Sequence, residues 1–75
     1  MPYIAIKAHP RDMELKKQLV EKINQDLIDI FNCPPHAVTI SFEEVTAEDW
    51  EEKVVKPEIE PNEDKMMIRS GERKY

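Results

Sequence analysis

The sequence predicts an α+β fold in which two parallel strands flank one long helix, followed by a short second helix and a short C-terminal strand. Two segments of alternating polarity, 2–8 and 36–45, predict the strands. Between them, residues 12–32 carry apolar side chains at steps of three and four, which indicates an amphipathic helix. Strand, helix and strand form a βαβ unit, for which we expect a right-handed crossover.

The first strand begins at the second residue of the chain. Ile4 and Ile6 share one face of segment 2–8, and the residues between them share the other face. The tripeptide at 9–11 contains Pro10 and ends the strand. Asp12 follows at the position of a helix N-cap.

The long helix has one apolar stripe and clear end signals. Its stripe consists of Leu15, Leu19, Val20, Ile23, Leu27, Ile30 and Phe31. Asn32 suits the left-handed conformation that often ends a helix, and Pro34 and Pro35 prevent its continuation.

The second half of the chain has weaker signals. Val38, Ile40 and Phe42 share one face of segment 36–45. The segment 46–49 resembles a capping box, which predicts a short helix from about Ala47 until Pro57. An acidic connector between Pro57 and Pro61 follows, and the apolar residues within 65–69 suffice for one short strand or turn.

Length, cysteine count and charge exclude several classes of function. We expect a single domain over 1–75, and a chain this short buries only roughly 60% of the surface that its unfolded form exposes. Its one cysteine excludes an internal disulfide, and Cys33, His9 and His36 lack the spacing of a structural zinc site. The net charge of −5, from 11 basic and 16 acidic residues, has the wrong sign for nucleic-acid binding.

No segment of the chain has the character of a membrane span or a secretion signal. No apolar run approaches the roughly 20 residues that cross a bilayer. No basic segment followed by an apolar one opens the chain, so we expect a cytoplasmic protein without membrane contact.

Two strands and one long helix leave one sheet face uncovered, which is a liability for a monomer. A second copy stacked on the open face is the simplest remedy. Thr39, Ser41 and Glu43 make part of that face polar, so not all of it has the character of a core.

Pro2 is the residue best suited to chemistry. Aminopeptidases remove Met1 when the second residue is small, as proline is, and the chain would then begin with a secondary amine. Free α-amino groups titrate at about 7.7–8.0, and partial burial or cations such as Lys7 and Arg11 would lower that pKa. A neutral amine takes a proton from one atom and returns it to another, which is general acid–base catalysis.

The order of motifs along the whole chain matches one known family. The opening reads Met1-Pro-Tyr-Ile-Ala-Ile-Lys7, followed by Pro10-Arg11. The long helix, the strand Val38-Thr-Ile-Ser-Phe-Glu-Glu-Val45 and then Trp50 come next. In this order and spacing the chain resembles the 4-oxalocrotonate tautomerase family. Its tail, from Pro57 to Gly71, is similar to that of the short dimeric para-tautomerase branch.

The resemblance implies a tautomerase-type βαβ subunit that dimerises by packing sheet against sheet, with a dimer favoured over a hexamer. It implies an enol–keto tautomerase of small 2-oxo acids that uses no cofactor or metal, with Pro2 as the general acid and base. Arg11 matches the family arginine that binds the substrate carboxylate, and its planar fork suits that task. Trp50 occupies the position of an aromatic wall.

One position departs from the family pattern. Hexameric members carry a second arginine on the second strand, where this chain has Thr39. The departure favours monocarboxylate enols such as phenylenolpyruvate over dicarboxylates. Lys7, Arg69 and Arg73 are the candidate replacements for the missing cation.

Two other functions remain open at the level of sequence. The same dimeric scaffold would serve as a non-catalytic interaction module, a hypothesis that Thr39 and a retained Met1 favour. Alternatively, Pro2 would act in a hydratase or dehalogenase, which needs an acidic residue to activate water. Glu43 and Glu44 are available for that role.

Overall fold

The strands and the long helix lie close to their predicted positions in the computed structural model, which describes every residue from 1 to 75. β1 spans Tyr3–Ala8, α1 spans Met13–Phe31 and β2 spans Thr39–Glu44. β1 and β2 pair in parallel, in a register that runs from Tyr3 opposite Thr39 to Ala8 opposite Glu44. The α+β class and the parallel βαβ unit are confirmed.

Both ends of α1 form as the sequence predicts. The Asp12 carboxylate accepts a hydrogen bond of 2.9 Å from the Leu15 N–H, which satisfies a donor that the first turn would otherwise leave unpaired. Asn32 ends the helix at φ 54° and ψ 44°, the left-handed conformation that asparagine tolerates. The helix therefore stops before Pro34 and Pro35.

The predicted start of the second strand at residue 36 is wrong by three residues. Pro35–Ala37 form one turn of 3₁₀ helix, in which the Ala37 N–H donates to the Pro34 carbonyl at 3.0 Å. Proline favours the first turn of a helix because its fixed φ is helical and its missing N–H has no partner there. The turn delays β2 until Thr39.

The chain divides into two units, Met1–Val45 and Thr46–Tyr75, and the second is mostly helical. It begins with α2 at Ala47–Trp50, continues in π-helical geometry over Glu51–Ile59 and ends as a 3₁₀ helix over Glu60–Lys65. The predicted capping box does not form, because the Thr46 side chain makes no cap hydrogen bond.

The prediction that Pro57 ends this helix is also wrong, and so is the connector expected between Pro57 and Pro61. The helical path continues through Pro57, and the Glu60 N–H bonds to the Val55 carbonyl five residues earlier. A proline ring clashes with the carbonyl four residues before it, and the wider π turn accommodates that ring. Pro61 lies in the first turn of the 3₁₀ helix, where no N–H is needed.

The C-terminal strand forms as half of a hairpin. β3 at Ile68–Arg69 pairs antiparallel with β4 at Glu72–Arg73. Ser70 and Gly71 connect them with φ values of 51° and 84°. Positive φ at both central residues is typical of the type I′ turn, whose twist matches that of the flanking strands.

Few side chains are buried in the single chain. Only Ala37, Val45 and Val54 are buried, with exposed fractions of 7%, 5% and 5%. α1 packs against β2, yet none of its side chains is buried. Its exposed apolar side chains are Met13, Leu15, Leu19, Ile30 and Phe31. None of the helices combines the length and the apolar character needed to cross a membrane.

Candidate active site

Pro2 lies directly before β1 and joins the sheet through its carbonyl. That carbonyl accepts a hydrogen bond of 3.2 Å from the Thr39 N–H. Pro2 is half-buried, whereas Met1 is 99% exposed. Removal of Met1 therefore disturbs no packed side chain, and it would convert the Pro2 nitrogen from an amide into an amine.

Thr39 gives this end of the sheet a neutral polar side chain. It is the first residue of β2, is exposed and lies opposite Tyr3 in the register. The resemblance leads us to expect an arginine in family members at this place. No positive charge therefore reaches Pro2 from position 39.

Arg11 lies in the loop that follows the opposite end of β1, and hydrogen bonds hold this loop in place. The Val45 N–H donates to the Ala8 carbonyl at 2.9 Å, and His9 Nδ1 lies 2.9 Å from the Val45 carbonyl. Because a carbonyl only accepts, Nδ1 must carry the proton in this contact. Arg11 Nη1 donates to the carbonyls of His9 and Pro10 at 3.1 and 3.2 Å. Both partners are uncharged, so these bonds orient the guanidinium without neutralising it.

Glu44 connects this loop to the start of α1. Its Oε2 atom accepts a hydrogen bond of 3.0 Å from the Arg11 backbone N–H and lies 3.2 Å from Lys16 Nζ. The Arg11 N–H, followed by the Lys16 ammonium, lowers the pKa of Glu44 below its usual value of 4.5. Glu44 is therefore a carboxylate at neutral pH.

A small cavity of about 230 Å³ opens beside this loop. Its lining combines apolar and cationic side chains: Ala8, Arg11, Leu15, Lys16, Leu19 and Phe42. Lys16 Nζ lies 5.7 Å from the centroid of the Phe42 ring, a distance at which the ring attracts the cation. Arg11 and Lys16 bring two positive charges and Glu44 brings one negative charge, so the cluster has a net charge of +1. Such a cavity suits a small anion with an apolar body.

One chain does not bring Pro2 and Arg11 together. They flank β1, whose six residues at about 3.3 Å each hold them about 20 Å apart. Lys7 lies near the far end of β1 as well, with its ammonium 3.8 Å from the Glu43 carboxylate.

Trp50 belongs to the second unit, where it is the last residue of α2 and is half-buried. Its role as an aromatic wall stays a prediction.

Of the arginines considered as replacements for the missing cation, Arg69 is bonded to the Glu63 carboxylate at 2.9 Å. Arg73 lies on β4, opposite Ile68.

Sequence reasoning missed the positions of Lys16 and Phe42 beside Arg11, and it gave Glu44 a different role. Glu44 was a candidate for activating water, yet its carboxylate is held by two donors. The signal that would have found the cluster is the parallel register, which sets Glu44 opposite Ala8.

His36 lies in the 3₁₀ turn, and Cys33 donates to the Leu27 carbonyl at 3.7 Å. No group of three or more His, Cys, Asp or Glu side chains in residues 1–75 is arranged to hold a metal ion.

Comparisons with known proteins agree on one family. Residues 2–55 match a family model described as "Tautomerase enzyme". A protein named "Tautomerase PptA" from Enterobacter sp. (strain 638) is 34% identical over 73 residues, which cover 95% of this chain and 96% of the relative. A "Probable tautomerase" from Xylella fastidiosa (strain 9a5c) is 31% identical over 72 residues, which cover 95% of this chain and 88% of the relative.

Proposed function

The chain belongs to the tautomerase family, and we propose that it interconverts the enol and keto forms of a small 2-oxo acid, with Pro2 as the general acid and base. Membership of this family supports an isomerase-type enzyme. The observation that carries the proposal is that the family match covers residues 2–55 and so begins at Pro2. The accessibility of Met1 supports the same assignment, because the amine exists only after Met1 is removed.

In the proposed mechanism, the neutral Pro2 amine removes a proton from the enol hydroxyl of the substrate. The protonated amine then delivers a proton to the adjacent carbon, which completes the conversion to the ketone and restores the free amine. Arg11 binds the substrate carboxylate and stabilises the negative charge that develops on the oxygen. We keep the aromatic wall as the proposed role of Trp50, which Trp50→Ala tests through KM for an aromatic substrate.

The charges around Arg11 favour a substrate with one carboxylate. A net charge of +1 on Arg11, Lys16 and Glu44 matches a monoanion, and Thr39 adds no cation near Pro2. Phenylenolpyruvate carries a single carboxylate, so we propose it as the test substrate.

We further propose that the active enzyme is a homodimer, because the site is incomplete in one chain. A 2-oxo acid carries its carboxylate and its reacting atoms within a few bonds, whereas β1 holds Pro2 and Arg11 about 20 Å apart. A second copy stacked across the two-fold axis on the open sheet face would bring its own Arg11 towards Pro2 of the first copy. The exposed apolar surface of the single chain supports self-association.

The test is the ketonisation of phenylenolpyruvate, followed by absorbance, on protein whose N-terminus has been checked by intact mass. We expect Pro2→Ala, which exchanges the rigid secondary amine for a flexible primary amine, to lower kcat/KM by about 10²-fold, the lower end of the range of general acid–base catalysis. Pro34→Ala is the matched control, since it removes a proline outside the proposed site and should retain activity. Wild type without Met1 that works no faster than buffer refutes the proposed activity on this substrate class.

A further inference from the structure

Three hydrogen bonds hold residues 8–11, which include Arg11, against residues 44 and 45. The Ala8 carbonyl and the His9 ring both bond to the backbone of Val45. Pro10 has no N–H and contributes no donor. The hydrogen bond from the Arg11 N–H to Glu44 is therefore the last one that holds this loop to β2 before α1 begins.

The orientation of the Arg11 guanidinium depends on this loop. Its Nη1 atom bonds only to carbonyls of the loop itself, those of His9 and Pro10. The guanidinium therefore follows any movement of residues 9–11. Glu44, on β2, accepts from the Arg11 N–H and pairs with Lys16, so its side chain fixes Arg11 against both β2 and α1.

We propose that Glu44 is a positioning residue for the tautomerase site, which holds Arg11 in the orientation that binds the substrate carboxylate. The inference rests on the proposed function of Arg11 and extends it to a residue that does not touch the substrate. It also explains why a carboxylate lies beside a site for anions, where its charge alone would weaken binding.

Position and charge predict opposite effects when Glu44 is replaced. If Glu44 acts only through its negative charge, it repels an anionic ligand. Both Glu44→Gln and Glu44→Ala would then tighten the binding of an anion, by up to about fivefold, the size of an interaction between two exposed charges. As a positioning residue, Glu44 is needed because a well-aligned charge-assisted hydrogen bond from Arg11 is worth about ten- to a hundredfold. Gln retains an oxygen that accepts the Arg11 N–H, whereas Ala retains none.

The experiment measures binding rather than turnover, so that it does not depend on the proposed activity. Phenylacetate is the probe, and phenylacetamide is its neutral counterpart without a carboxylate. Dissociation constants are measured by NMR titration for wild type, Glu44→Gln, Glu44→Ala and Arg11→Ala. Glu43→Ala is the matched control, because Glu43 neighbours Glu44 but lies 3.8 Å from Lys7 instead. Thermal unfolding of each variant confirms that it is folded.

We expect Glu44→Ala to raise the Kd for phenylacetate about three- to tenfold, with Glu44→Gln and Glu43→Ala within about twofold of wild type. Phenylacetamide should bind all variants alike, and adding Glu44→Ala to Arg11→Ala should cause no further loss. The Arg11 amide proton should move upfield in Glu44→Ala, since its acceptor is gone.

Three outcomes overturn the inference: wild type that does not distinguish phenylacetate from phenylacetamide, tighter binding of phenylacetate by Glu44→Ala, or equal losses for both probes. Binding that follows our expectation in a protein without tautomerase activity refutes the proposed reaction and leaves the positioning role of Glu44 intact.

Discussion

Mixing two inactive variants tests whether the active site is shared between chains. Pro2→Ala replaces the proposed base, a rigid secondary amine, with a flexible primary amine, and Arg11→Ala lacks the proposed carboxylate ligand. β1 keeps these residues about 20 Å apart in one chain, so we expect every site to combine Pro2 of one chain with Arg11 of another. The two variants are co-expressed with different affinity tags. Purification on both tags in turn gives oligomers that contain both variants, whereas purification without the tags gives the unselected mixture.

The expected recovery follows from counting sites. In an unselected equal mixture, half of the chains contribute an intact Pro2, and half of their neighbours contribute an intact Arg11. About a quarter of all sites are then complete, in a dimer or in any larger ring with the same pairing. The mixture should therefore show about a quarter of the wild-type kcat/KM, although each parent is impaired by about 10²-fold or more.

A second mixture provides the control. Wild type combined with the double variant Pro2→Ala/Arg11→Ala also yields about a quarter of the sites if they are shared, but about half if each chain holds a complete site. The ratio of the two mixtures is thus about one for shared sites. If the first mixture is no more active than the mean of its two parent variants, the proposal that each site combines Pro2 of one chain with Arg11 of another is refuted.

Two further predictions concern stability and assembly. The Arg11 N–H, then Lys16, lowers the pKa of Glu44 below 4.5, so its contribution to stability is fully present above about pH 4.5 and is lost as the pH falls through the lower folded value. The urea midpoints of wild type and Glu44→Gln should therefore converge on acidification, and parallel curves would contradict this linkage. Ser41→Glu places like charges on the open sheet face and should weaken self-association at least about tenfold by sedimentation velocity. Gln18→Glu, the same change of charge on exposed helix surface, should leave self-association unaltered.

The first unit of the fold was predictable because its signals are local and agree with one another. Asp12 and Asn32 mark the ends of α1 through their own backbone preferences, and both act as expected. The alternation of Ile4 and Ile6 reports one half-buried face, which the structure has. These features need no knowledge of what lies across the fold.

The second unit was less predictable because its geometry depends on irregular hydrogen bonding. Pro57 is a helix breaker for α geometry, but the π turn shifts the bonding to the fifth residue back and tolerates its ring. β4 has no apolar alternation, so the only available signal was the two-residue Ser70-Gly71 turn. The candidate site has the same limitation: Arg11 was identified by resemblance, but its contact with Glu44 joins residues 33 positions apart.

The size of the chain gives a physical reason for the proposed use of the N-terminal amine as the base. A side-chain carboxyl that works near neutral pH must have its pKa raised by burial, yet this chain buries no polar or charged side chain. An α-amino group titrates at about 7.7–8.0 before any burial, so it needs only a small shift. Half-burial of Pro2 directly before β1 is a modest environment that a 75-residue chain can supply. If shared sites are found, the same self-association that completes the core also completes the catalytic site.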